Sequence, residues 1–389
     1  MSDAYLDKQN TFTNVTEWHN AGYTGKDILV WDMEGLGDHG KYTRERILDA
    51  APEAKVINRP WNKATRNGVF AQEQVYDDKT KTYLSFNEFV EKYRPKVLTC
   101  SMSGGQKAIY DGIRPILTAA QNKYKLLIFN SAGNDGSSGL KGGALPQENA
   151  MYIGAVMMFA NNPNDIRGCG YSSLGDEFEE VDFSSFTGKQ GKSGTSFSTP
   201  FVAGQAALLA QRYGDMSQNE VYNYFKMCAK PLMLDHNAIK TDFIGGQYIY
   251  DFRTGYGIPI LPHLNKRYLT LTIGHNYLTV DGNGMPMDTA PFIKDSRTFV
   301  PIAFISLALG AEVAWSPISK KVTIVKGETK LELYIGKRQY YINGSRYDMD
   351  TAPFIKDSRT FVPISWIALA LGCRVSWVNS ERKVQILEV

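Results

Sequence analysis

Three stretches of the chain set chemistry-bearing residues where strands and helices would end or begin. ILVWD ends in Asp32, LLIFNSAGN ends in Asn134, and SGTSFSTPFVAGQAALL sets Ser196 just before a strongly helical, Ala-rich run. These residue types fit acyl transfer by serine. That chemistry takes a hydroxyl nucleophile, a base for its proton, an acid to orient the base, and donors aimed at the developing oxyanion. A serine at a helix start is well placed, because unpaired N–H groups and the helix dipole there stabilise developing negative charge. Gly194 lets the chain turn sharply and lets a substrate backbone come close. Pro200 is expected in the first turn of the helix, where its missing N–H costs nothing.

The base must be a histidine, and the chain has five. His39 follows Asp32 by seven residues, has Gly40 beside it and precedes the helical pattern KYTRERILDAA. His19 lies before the Asp32 strand; His236, His263 and His275 fall in loops or in the C-terminal repeats, without an acidic strand end beside them. His39 is therefore the expected base. The run Asp32-Met33-Glu34-Gly35 puts a second carboxylate near it. Glu34, Asp38 and Asp135 would favour basic substrate side chains, or simply form a solvated charged rim. Tyr171, Ser172 and Ser173 are candidates to line a specificity pocket.

The elements that must position these residues are legible from hydrophobic period. Over 1–265, apolar runs of strand length alternate with helical patterns: DILVWD then YTRERILDAA, KVLTCSM then AIYDGIRPILTAAQNKY, followed by KLLIFNSAGN and MYIGAVMMFA. Such alternation predicts a parallel α/β sheet with helices on both faces, and ligands beyond the carboxyl ends of its strands. The 389 residues, 43% hydrophobic and 21% charged, allow a sizeable core in a soluble globular protein. A net charge of +3 is too small to argue for nucleic acid. No run approaches the ~18 apolar residues of a membrane span, and no basic stretch followed by an apolar run reads as a signal peptide. Cys100, Cys169, Cys228 and Cys373 are far apart and form no CxxC pair, so buried thiols are expected. No cofactor or metal-ligand set is expected, and calcium is left unassigned.

Residues 266–389 are organised differently. MDTAPFIKDSRTFVPI occurs at 287–302 and again, letter for letter, at 349–364. The same offset aligns two tandem copies, about 269–327 and 331–389. Each copy carries alternating strands, a DG or NG hairpin turn and one helix ending at a Gly, so each is expected to be a small β-rich (α+β) unit.

Two resemblances follow from these residues. WHNAGYTGKDILVWD, DHG, SMSGG, SAGND, PQENAMYIGAV and GTSFSTPFVAG stand in the order of the corresponding segments of subtilases, and residues 16–210 resemble that family. The order Asp, His, Ser is also that of subtilisins. The resemblance implies a subtilisin-like three-layer α/β domain and a serine endopeptidase. In it Asp32 would orient, His39 would act as base and then acid, and Ser196 would be the nucleophile. The Asn134 side chain and the Ser196 N–H would form the oxyanion hole. Met102, Ser103, Gly104 and Gly105 would pair with an extended substrate as an added strand, with Ala132, Gly133 and Thr195 completing the substrate-binding surface. Three features depart from the family: a step of seven residues from acid to base instead of a few dozen, Met33-Glu34 in place of Ser/Thr-Gly, and Phe201 where histidine is common. The C-terminal copies, with FVP, helix, LG and V-x-W, resemble the copper amine oxidase N-terminal-like (stalk) domain of surface proteins of Gram-positive bacteria. No copper is expected, since metal-ligand spacing is absent. That likeness implies an attachment module with a cell-surface or phage-particle partner, hence an extracellular, surface or particle-associated setting. The alternative is a catalytically silent subtilase scaffold that binds or signals.

Overall fold

The computed structural model describes residues 4–62, 65–66, 69–70, 74–77, 79–101, 107–136, 145–159, 162–173, 181–187, 193–232, 239–243, 246–251 and 254–389. The chain divides into two compact units, Met1–Thr241 with Tyr248–His263, and Asp242–Gln247 with Leu264–Val389.

Helices α1 (Ala4–Phe12) and α2 (Val15–Asn20) lead into a central sheet. Its strands are β1 (Leu29–Asp32), β2 (Lys55–Asn58), β3 (Val97–Cys100), β4 (Leu127–Ser131), β5 (Met151–Met158), β6 (Ile166–Gly168) and β7 (Phe183–Phe186). Their order is β6-β5-β4-β3-β1-β2, with β7 also paired to β5. Every pairing is parallel except β5 with β6. The intervening helices are α3 (Asp38–Ala50), α4 (Phe86–Tyr93), α5 (Lys107–Tyr124), α6 (Thr195–Tyr213) and α7 (Gln218–Cys228).

Because successive strand residues point to opposite faces, the sheet sorts its own side chains. Trp31, Leu98 and Ile128 join Phe86, Phe89 and Val90 of α4 and Ile113 and Leu117 of α5 in one apolar cluster. The residues between them face the other way. On that side α6 packs against β1, β3, β4, β5, β7 and α3. Residues 195–210 of α6 are all buried, as expected of a helix that is apolar all round.

Where α3 and α6 cross, a Cβ at Gly204 would lie 2.7 Å from both the Ala50 Cβ and the Ile47 carbonyl oxygen. Only glycine permits that approach. Arg46 of α3 ties the crossing together: its guanidinium donates to the carbonyl oxygens of Phe197 and Phe186 and pairs with Asp49. None of the four cysteines is in a disulfide; Cys100, Cys169 and Cys373 are buried and Cys228 is half-buried. Among the described residues, no helix is long and apolar enough to cross a membrane.

In the second unit each copy is β-rich with one helix, and the two copies fold together. The first copy supplies β8 (Tyr268–Thr272), β9 (Tyr277–Val280), β10 (Asn283–Pro286), β11 (Phe292–Lys294), β12 (Arg297–Pro301), α8 (Ile302–Ala308), β13 (Glu312–Ser316) and β14 (Lys321–Lys326). The second supplies β15 (Thr329–Tyr334), β16 (Gln339–Ile342), β17 (Ser345–Asp348), β18 (Phe354–Lys356), β19 (Arg359–Pro363), α9 (Ile364–Ala370), β20 (Cys373–Val378) and β21 (Lys383–Glu388). Neither copy closes on itself. The three sheets run β10-β9-β8-β21-β20, β13-β14-β15-β16-β17 and β11-β12-β19-β18, each mixing strands of both copies. In the last sheet Val300 pairs with its repeat counterpart Val362. Arg297 pairs with Asp350, and Arg359 reciprocally with Asp288. One core of both copies, from Leu269 to Ile386, lies between these sheets.

Candidate active site

Asp32 ends β1 and is wholly enclosed, at 0% exposure. Its neighbours across the ladder are Asn58 of β2 and Thr99 of β3. Both of its hydrogen bonds fall on one oxygen: Oδ2 accepts from Thr43 Oγ1 at 2.6 Å and from Asn58 Nδ2 at 2.8 Å. Oδ1 has no hydrogen-bond partner among the described residues. Burial, only partly offset by those two donors, pushes the carboxyl pKa up to about 7.

His39 is the second residue of α3, exposed at the helix start. Gly40 explains how the short link works. A Cβ there would lie 1.8 Å from the Gly35 carbonyl oxygen, so only glycine lets the loop fold onto the first turn of α3. The fold-back brings Glu34 alongside the imidazole, with Glu34 Oε2 at 3.2 Å from His39 Nδ1. The Glu34 carboxylate so placed raises the His39 pKa above its ordinary range, against partial desolvation, with smaller help from the charge of Asp32. Among the described residues no hydrogen bond joins His39 to Asp32 or to Ser196. The His39 ring lies 5.6 Å from the ring of Phe197, the residue after Ser196.

Ser196 is the second residue of α6, inside the helix and not ahead of it. Gly194 is the N-cap at φ 135°, a conformation that other residues rarely adopt. Pro200 lies in the helix interior and not in its first turn, which corrects the sequence reading. There it removes the N–H that would bond the Ser196 carbonyl four residues back. That carbonyl instead accepts from Ser101 Oγ at 3.1 Å, and Ser196 Oγ in turn donates to the Ser101 carbonyl at 3.3 Å. The reciprocal pair clamps the end of β3 to the turn bearing Ser196. In the sequence Ser101 opens the SMSGG segment expected to pair with substrate; its bond to the Ser196 carbonyl was not anticipated.

Asn134 follows β4 by three residues and is exposed. Its Oδ1 accepts from the Thr195 N–H at 2.8 Å and lies 3.1 Å from Thr195 Oγ1. The Ser196 N–H, in a first helical turn, has no intrahelical acceptor. Ala132, Gly133 and Thr195 are buried beneath this edge: the Ala132 N–H bonds the Ile153 carbonyl, and the Gly133 N–H bonds Thr195 Oγ1. Met102, Ser103, Gly104 and Gly105 lie outside the described residues.

Tyr171 and the serines beside it serve the frame. The Tyr171 hydroxyl accepts from the Gly194 N–H at 2.9 Å, holding the loop before Ser196. Ser172 Oγ accepts from the Ala155 N–H, and the Ser173 N–H bonds the Gly133 carbonyl. Of the other histidines, the His19 ring bonds the Ala50 carbonyl, at the far end of α3 from His39. His263 pairs with Glu17, His275 lies in the second unit, and His236 is outside the described residues. Among the described residues no three His, Cys, Asp or Glu side chains cluster as metal ligands.

A parallel α/β sheet with a serine at the buried helix and an aspartate at a strand end defines the class. Residues 16–257, more than half of the chain, match the subtilase family model, and the protein belongs to the subtilase family of serine proteases. Residues 260–317 and 279–386 match the model of the copper amine oxidase N-terminal domain. No curated protein matches the chain. Similar solved structures include MycP1 with its N-terminal propeptide removed, at 14% identity over 65% of this chain and 95% of that one, TM-score 0.43. Another is MycP1 from the ESX-1 type VII secretion system, at 16% identity over 66% of this chain and 87% of that one, TM-score 0.44.

Proposed function

We propose that this protein is a serine endopeptidase that cleaves peptide bonds through an acyl-enzyme intermediate. Ser196 attacks the scissile carbonyl while His39 takes its proton and later returns it to the leaving amine. The Asn134 Nδ2 group and the Ser196 N–H stabilise the oxyanion. Two carboxyl groups, Asp32 and Glu34, adjoin the base, so the acid of the triad is one of them. Met102–Gly105 receive the substrate strand, and Ala132, Gly133 and Thr195 shape the floor below it. The reading is carried by one observation: the turn bearing Ser196 is bonded to Asn134 through Thr195 and sits against the helix bearing His39.

For catalysis the Ser196 hydroxyl must turn from the Ser101 carbonyl to His39 Nε2. Such contacts commonly tighten only in the substrate complex. A fluorophosphonate probe tests the reading. Wild type is expected to be labelled and Ser196→Ala is not; equal labelling of the two, or none of wild type, would refute the enzyme. The missing Ser196–His39 hydrogen bond favours one rival, a silent subtilase scaffold, and the unlabelled outcome is its signature. The C-terminal copies are read as the module that attaches this peptidase to a Gram-positive cell wall or a phage-like particle.

A further inference from the structure

We propose that Glu34, and not Asp32, is the carboxylate that positions the base, so that the working pair is Glu34–His39. The inference rests on the peptidase reading of Ser196 and His39. It begins with what each carboxylate touches. Glu34 Oε2 makes an ion-pair contact with His39 Nδ1 at 3.2 Å, whereas Asp32 makes neither an ion pair nor a hydrogen bond with the imidazole. The bonds of Asp32 run to Thr43 and Asn58, which use one of its oxygens and build it into the frame under α3.

The chemistry points the same way. A positioning acid must be ionised while the imidazole is charged, because its task is to stabilise imidazolium. Asp32 is sealed from water, and desolvation opposes its ionisation. The Glu34 side chain keeps 13% of its surface exposed and stays solvated on one side. As a carboxylate it only accepts, so its approach favours the proton on Nδ1 and leaves Nε2 basic, the tautomer a serine nucleophile needs.

The short link supplies the cause. Seven residues from Asp32 to His39 cannot hold an intervening strand; instead the loop doubles back, with Gly35 pressed on Gly40. That fold-back turns Glu34 toward the imidazole. The groups facing His39 are Glu34 in this loop, Asp32 at the strand end, and the uncharged ring of Phe197 from α6.

The test is the titration of the His39 imidazole by NMR in the full-length protein, with His39→Gln to assign its signal. Glu34→Gln, near-isosteric and partly solvated, is compared with Asp32→Asn, with thermal melts as the folding control. Glu34→Gln is expected to lower the His39 midpoint by about one pH unit, and Asp32→Asn by clearly less. Fluorophosphonate labelling should slow roughly 100-fold in Glu34→Gln at neutral pH. Its residual acid limb should move to lower pH, and Glu34→Asp should recover part of the rate. A midpoint that follows Asp32→Asn and ignores Glu34→Gln would overturn the proposal. If wild type is never labelled, the peptidase reading falls, and the titration alone still decides which carboxylate holds His39.

Discussion

Asp32 combines full burial, two hydrogen bonds on one oxygen and a second oxygen without a partner among the described residues. Its folded pKa of about 7 lies above the 3.8 of an ordinary aspartate. The folded state therefore holds the proton more tightly than the unfolded chain. Between about pH 4 and 7 the unfolded chain has lost that proton and the folded chain has kept it, so stability falls as pH rises through this window. Asp32→Asn removes the slope, since an amide presents the same acceptor to Thr43 and Asn58 and never ionises. The variant is expected to melt higher than wild type at pH 8, by an amount on the order of a few kcal/mol, with the gain vanishing near pH 4. Thermal melts of both proteins across pH 4–8 check this. A gain that grew toward acid pH would show that the buried carboxyl is ionised in the fold.

At the scale of elements, the active turn is held by replacements for missing helix bonds. Pro200 leaves the Ser196 carbonyl without its i+4 donor, and Ser101 at the end of β3 supplies one. Ser101→Ala should then strand a buried carbonyl at a cost of about 1–3 kcal/mol, lowering Tm by roughly 2–10 °C. Pro200→Ala should return an N–H to that carbonyl, so the double variant should melt above the sum of the two singles. A double-mutant cycle reads this coupling directly; strict additivity would disprove the clamp. The same element shows what sequence could reveal. GTSFSTP marks Ser196 as the candidate nucleophile, yet the partner for its carbonyl lies 95 residues away, just past a strand that only the folded sheet brings there.

On the scale of the whole molecule, the two copies of the second unit are interleaved. β8 opens the first copy and pairs with β21, which closes the second; β14 pairs with β15 across the junction. A single copy, 264–327, would leave edges unpaired and half the core exposed. It is expected to be unfolded or to dimerise through its exposed strands, whereas 264–389 folds as a monomer. Sedimentation and circular dichroism of both pieces check this, and a folded monomeric single copy would contradict it. If the copies attach the protein, a chain ending at residue 265 should keep fluorophosphonate labelling and lose cosedimentation with Gram-positive cell walls. Retained cosedimentation would place the attachment elsewhere.

The amino-acid sequence by itself determined the period of the β-strands and helices, the nucleophile's motif, and the exact repeat with its offset. Each of these is local: hydrophobic alternation, a Gly-Thr-Ser turn ahead of an apolar helix, or identity between two segments. It also carried Glu34 as a second carboxylate near the base, while Asp32 was the acid expected to orient His39. Only the tertiary structure supplies what bears on that choice: the Gly35–Gly40 contact that folds the loop back, the approach of Glu34 to the imidazole, and the burial of Asp32 beneath α3. Tertiary structure likewise decided the exchange of strands between the copies. Two similar sequences offer like edges to themselves and to each other, and the pairing is set by which arrangement closes the three sheets over one core.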